Sequence, residues 1–222
     1  MTRVYGRSRE SVVKWPDDAK AREVLERYLD RLSIDPPSSL SDSSLLAADG
    51  MDFTGADLSG LQLQEAALNE ADLTNIRAVE ADLYGVWMMS ANITHADLTR
   101  SDLRKIEARG CKAFNAILRS AELQAAVFED GDFRQADLHG ANLYDASFAG
   151  SDLRYADLRE CRFGWTDFSN CRFGGSAVAG AKGMILGSID VGIDTPAILA
   201  GAELQSWFDA QDAPEVKVHV PQ

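Results

Sequence analysis

The chain is poor in the residues that do chemistry. It has three histidines and three cysteines in 222 residues. His95, His139 and His219 are scattered, and none lies at metal-ligand spacing from a Cys, Asp or Glu. No phosphate-binding loop, G-x-S-x-G elbow or dinucleotide fingerprint occurs. No enzyme activity, resident metal or cofactor is therefore expected. No run nears the ~18 apolar residues of a membrane span, and MTRVYGRSRE at the N-terminus has no apolar signal core. The cytoplasm is the expected compartment, with no membrane attachment. Positive charge is also scarce. Twenty-two Lys and Arg stand against 35 Asp and Glu, a net charge of −13. A direct nucleic-acid ligand is not expected on such a surface.

What the chain does have is a register of five. Positions 53, 58, 63 and onward to 183 hold Leu thirteen times and Phe seven times, with Met88, Ile93 and Val178 also bulky. The residue two before each is Ala at fourteen of the 27 positions, and Ser, Cys, Thr or Gly at eight more. ADLSG (56–60), ADLTN (71–75), ADLTR (96–100), ADLHG (136–140) and ADLRE (156–160) are the cleanest copies. A period of five fits neither a lone helix nor a flat strand, so stacked repeats are implied. One large and one small side chain per repeat point to a common axis. Where the large position falls to Ala78 or Ala108, the small one rises to Ile76 or Ile106, which conserves interior volume. Cys111 with Ala113 lacks this compensation. Residues 109–115 are therefore expected to be irregular, with Phe114 turned inward.

The A-(D/N)-L-x-x copies resemble the pentapeptide-repeat family over residues 51–183. The resemblance implies an all-β, right-handed quadrilateral β-helix of 20 residues per coil, one repeat per side. At ~4.8 Å per coil the rod is ~32 Å long. Phe128, Phe148 and Phe168 then share one side and stack. All three cysteines take small inward positions. Cys161 is on another side from Cys111 and Cys171, which lie ~14 Å apart along the rod, too far for a disulfide. Free, buried thiols suit a reducing compartment.

Three segments follow. Residues 1–50 hold a loosely packed basic stretch (1–14), a helix starting near Pro16–Asp17, and a Pro/Ser linker (33–44). The stripe Val24, Leu25, Tyr28, Leu29 and Leu32 makes the helix a cap for the rod, since solenoid ends need cover. Residues 51–183 are the rod. Residues 184–222 open with Thr195-Pro196, which has the form of a helix start. Ile198, Leu199, Trp207 and Phe208 follow as an apolar face. EVKVHV (215–220) alternates like a strand. The segment is either a homodimer contact, as in several family members, or the rod's own cap.

Outward residues recur in columns 20 positions apart. Asp82, Asp102 and Glu122 form one acidic column, and Asp57, Asp97, Asp137 and Asp157 a second, interrupted by Arg77 and Ile117. Carboxylates at ~4.8 Å spacing approach the phosphate spacing of duplex DNA. The fluoroquinolone-resistance pentapeptide proteins are acidic rods that occupy DNA gyrase in place of DNA. Their similarity implies a DNA mimic with gyrase or topoisomerase IV as partner. A basic belt of Arg100, Arg104, Lys105, Arg109, Lys112 and Arg119 departs from that pattern. The alternative is an interaction scaffold or immunity-type partner, using Trp87 and Val127 in one outward column with Tyr84, Tyr144, Tyr155 and Trp165.

Overall fold

Every fifth residue from Gly50 to Gly180 has φ between +53° and +75°. The structure is a computed structural model that describes residues 4–34 and 45–219. Each of these positions is a corner. The corner is closed by an N–H bonding the carbonyl three residues back, as from Ala56 to Phe53 (3.0 Å) and from Ser101 to Leu98 (3.1 Å). Positive φ at the third residue of such a turn is the type II pattern. Between corners the backbone is extended, and from residue 47 to residue 162 each residue before an inward position bridges in parallel to the residue 20 further on, a step that shortens to 19 and 18 at Asp167 and Arg172. One column runs Asp52, Asp72, Asn92, Lys112, Asp132, Asp152, Arg172. The chain thus returns alongside itself after four corners.

The repeat chemistry explains why this works. In residues 97–101 every N–H has a partner. Asp97 bonds back to Ile76, Leu98 forward to Ile117, Arg100 forward to Arg119 and Ser101 across its corner to Leu98. The remaining donor, Thr99 N–H, is accepted by the Asp97 carboxylate at 3.1 Å. The large and small inward residues fill one continuous core, including both swapped pairs, Ile76 with Ala78 and Ile106 with Ala108. Phe128 stacks on Phe148 at 5.2 Å, and Phe148 tilts over Phe168 at 5.7 Å. Small polar residues at the inward position reach a carbonyl one coil back: Ser151 Oγ donates to Phe128 O at 2.7 Å and Thr166 Oγ1 to Leu143 O at 2.7 Å. The three cysteines are free and buried. Burial pushes the Cys111 and Cys171 thiols up to about 12, so they are inert at neutral pH.

Residues 109–115 are regular, not irregular. Lys112 bridges both Asn92 and Asp132. Phe114 stays outward at its corner, edge-on to His95 at 5.8 Å with the Arg134 guanidinium over its ring.

At the N-terminal end, helix α1 (Ala19–Ile34) buries Leu25, Leu29 and Leu32 in the same core as the first coils. It starts two residues later than expected, where Asp18 Oδ1 accepts Ala21 N–H at 2.7 Å. The described part of the preceding stretch, from residue 4, is not loose. Gly6 donates to Gly60 O at 2.7 Å and accepts from Gln62 N–H at 2.9 Å, and Lys14 exchanges two bonds with Asp57. These residues satisfy the open edge of the first coil. Most of the expected linker lies outside the described residues.

Towards the C-terminus the ladders become continuous enough for named strands on successive sides: β1 (Asn142–Tyr144), β2 (Arg162–Gly164), β3 (Thr166–Asp167) and β4 (Cys171–Arg172), then β5 (Lys182–Leu186) and β6 (Ile189–Asp190). β1, β2 and β5 pair in parallel, and β6 pairs with β4. The Thr195-Pro196 signal does not start a helix. Ile198–Leu199 forms β7, antiparallel to β6, and helix α2 (Gly201–Ala210) begins only after it. Strand β8 (Glu215–Val218) then adds to β5 in parallel; Val220, the end of the expected strand, lies outside the described residues. α2 closes this end with Leu204 and Phe208 fully buried.

The last open ladder position is filled by one side chain. Gln205 Nε2 donates to Val216 O at 2.9 Å, and Gln205 Oε1 accepts from Val218 N–H at 3.2 Å. The amide stands where the next coil's peptide would lie. Gln205→Ala should raise hydrogen exchange at the Val218 amide about ten-fold, as expected for a bond of ~1.4 kcal/mol. Unchanged protection would show that the amide is held by something else.

Candidate interaction surface

The outward side chains are placed by the strand period. Residues one before and one after each inward position project to the same side, so an Asp there faces the next corner's donor. Thirteen corners use this contact, from Thr54 N–H on Asp52 to Ser169 N–H on Asp167. The Asp or Asn of the repeat is therefore an acceptor that completes the corner.

The first acidic column is covered. Asp82 is 2% exposed and Asp102 8%. Asp82 Oδ2 accepts from Gln64 Nε2 at 2.5 Å. Burial raises its pKa, and the neighbouring Asp102 adds to the shift. Asp102 is held bidentately by Arg104, at 2.8 and 2.6 Å. Glu122 takes bonds from Gln124 (2.7 Å) and Asn142 (3.1 Å). Asp82 and Asp102 are thus corrected from contact residues to buried ones.

The second column is half-exposed and largely neutralised. Arg77 lies between Asp57 (3.6 Å) and Asp97 (3.7 Å), Arg119 meets Asp137, and Arg159 clamps Asp157 at 2.6 Å. Arg134 and Arg154 hold Asp132 and Asp152 in the same bidentate way. The hydrogen bond from Arg134 lowers the Asp132 pKa, and that from Arg159 lowers the Asp157 pKa. The signal is present in the sequence as D-L-R at 102–104, 152–154 and 157–159 and as D-F-R at 132–134, whose two ends share a side. The basic belt is spread around the coil and mostly paired: Arg100 with Glu80, and Arg109 with Glu107 and Glu129.

The apolar surface is more open. Trp87 is 55% exposed and bridges Ala67 and Glu107 in its column. With Leu45, Tyr84 and Gly85 it lines a surface groove whose charged rim is Glu65, Lys105 and Glu107. Lys105 and Arg104 lie over the Tyr84 ring at 5.4 and 5.5 Å. Val127 follows Glu107 in the column and is half-buried. Of the C-terminal set, Phe208 is buried, Trp207 packs edge-on to Phe173 at 6.5 Å, and Leu199 is half-buried. Ile198, 69% exposed, faces solvent from a strand. Among the described residues there is no group of three potential metal ligands, and no helix is long and apolar enough to cross a membrane.

The chain matches the family of pentapeptide repeats, in eight copies over residues 47–75, 66–104, 116–154 and 136–175, more than half of the chain. The chain belongs to the pentapeptide-repeat family. Members of this family fold as right-handed β-helices and are generally structural or binding proteins, and no catalytic family is indicated. A trypsin-treated variant of QnrB1, a plasmid-mediated fluoroquinolone resistance protein, is similar at 18% identity and a TM-score of 0.58, over 79% of this chain and 90% of that one. HetL, involved in heterocyst differentiation regulation in the cyanobacterium Nostoc sp. strain PCC 7120, is 22% identical over 64% of this chain and 76% of its own, with a TM-score of 0.49. No curated protein matches. These likenesses concern the fold.

Corner acceptance by Asp97 is separable from its charge. Asp97→Ala should lower Tm by about 2–4 °C, equivalent to ~1 kcal/mol. Asp97→Asn keeps the acceptor and should stay close to wild type. Equal losses in both variants would assign the effect to charge instead.

Proposed function

We propose that the chain is a right-handed, four-sided β-helical rod acting as a non-enzymatic, protein-binding module. The observation that carries this reading is Trp87, a large aromatic side chain held more than half exposed on a rigid wall beside Ala67 and Tyr84. Trp and Tyr are the residues that most often anchor interfaces. Met89, two residues on from Trp87, is also exposed and extends this apolar surface. The C-terminal segment serves as the rod's own cap, through Phe208 and Trp207, and not as a dimer contact. Free, inert thiols fit a reducing compartment such as the cytoplasm.

DNA mimicry toward a type II topoisomerase, DNA gyrase or topoisomerase IV, is the second reading. Net charge −13 and the half-exposed column Asp57, Asp97, Asp137, Asp157 favour it. The arginine clamps weaken it, because a paired carboxylate adds little field beyond ~10 Å. Two assays separate the readings. Partner capture by the immobilised protein should fall at least ten-fold with Trp87→Ala and survive Asp137→Asn with Asp157→Asn. A gyrase supercoiling assay, with and without a fluoroquinolone, should show neither inhibition nor protection at micromolar protein. Protection lost on neutralising Asp137 and Asp157 would replace the first reading with the second.

A further inference from the structure

Ten arginines lie in residues 51–183. Nine of them form ion pairs, and Arg162 forms none among the described residues. The next rung of its column is Lys182, which also forms none. Both are exposed. Two adjacent bare cations break the pattern of a chain with net charge −13. The column reads Gln62, Asp82, Asp102, Glu122, Asn142, Arg162, Lys182, Glu215, so the two cations stand together between Asn142 and one terminal carboxylate.

The surroundings form a groove. Gln124, Asn142 and Tyr144 line it beside the two cations, with Glu215 on the rung after Lys182. Tyr144 is 49% exposed, and its ring lies across the next rung. Gly164 makes this placement feasible, because a Cβ there would sit 2.0 Å from Tyr144 Cδ2. Gln124 Nε2 donates to Glu122, while Gln124 Oε1 is buried without a hydrogen-bond partner. The groove therefore offers two positive charges, one aromatic face and one unfilled acceptor.

We propose that this groove docks an acidic peptide segment of a protein partner. Carboxylate side chains meet Arg162 and Lys182, the Tyr144 ring lies under the peptide, and Gln124 Oε1 receives a backbone N–H. A peptide supplies acceptors and a donor together. A nucleic-acid backbone offers only acceptors here and would leave Gln124 Oε1 unfilled. The inference shares the protein-binding reading but uses a surface of opposite sign from the Trp87 groove.

Fluorescence anisotropy of the full chain with labelled Asp/Glu-rich, Lys-rich and uncharged octapeptides tests it. The acidic peptide alone should bind, and Arg162→Glu should weaken it about ten-fold or more, at unchanged Tm. Tyr144→Ala should weaken it without altering its salt dependence, which keeps the test valid if Arg162→Glu unfolds. Trp87→Ala should leave it intact, so failure of one surface is not failure of the other. Equal binding of all three peptides, no binding, or displacement by millimolar inorganic phosphate would overturn the proposal; the last would mark a simple anion site.

Discussion

The structure depends on a backbone constraint. The chain must enter the left-handed region every fifth residue and close a hydrogen bond across that corner. Nine of the 27 corners from 50 to 180 are Gly, which adopts φ > 0 freely, and eighteen are not. Each non-Gly corner costs on the order of 1 kcal/mol. The ladder offsets this cost. In a complete repeat every N–H is bonded, four to backbone and one to the Asp side chain. Such a wall leaves few free donors for partners, so recognition falls to side chains standing on it.

That division decides how the acidic residues behave. A carboxylate engaged by a corner N–H and clamped by an arginine two residues on is part of the wall. Asp102 with Arg104, Asp132 with Arg134, Asp152 with Arg154 and Asp157 with Arg159 repeat this arrangement. What stands out from the wall is a set of aromatic rings about half exposed, Trp87, Tyr144, Tyr155 and Trp165, and the adjacent cations Arg162 and Lys182. Both ends are closed by unlike devices. At one end Gly6 and Lys14 complete the first coil's hydrogen bonds. At the other, β8 extends the ladder and Gln205 terminates it.

Much of the fold was legible in sequence, because volume at the axis is conserved so tightly. The register survives even where Ile76 and Ala78 trade places. The corners were less legible, since Glu70, His95 and Trp165 are poor advertisements for positive φ. Phe114 was misjudged because a small pair at Cys111 and Ala113 suggested a vacancy that close packing did not need filled. Thr195-Pro196 was misjudged because a local helix-start signal was overridden by pairing of Ile198–Leu199 with β6. For the surface, column membership was readable but side-chain partnership was not. The acidic column was followed to Glu122 and no further; three more steps of 20 reach Arg162 and Lys182.

The central claim is the 20-residue return of the backbone. Through-hydrogen-bond scalar couplings in deuterated, labelled protein test it directly. Leu103 N–H should couple to the Glu122 carbonyl carbon, and Glu122 N–H to that of Ser101. Couplings instead to carbonyls three or four residues away, or none to these partners, would contradict the account.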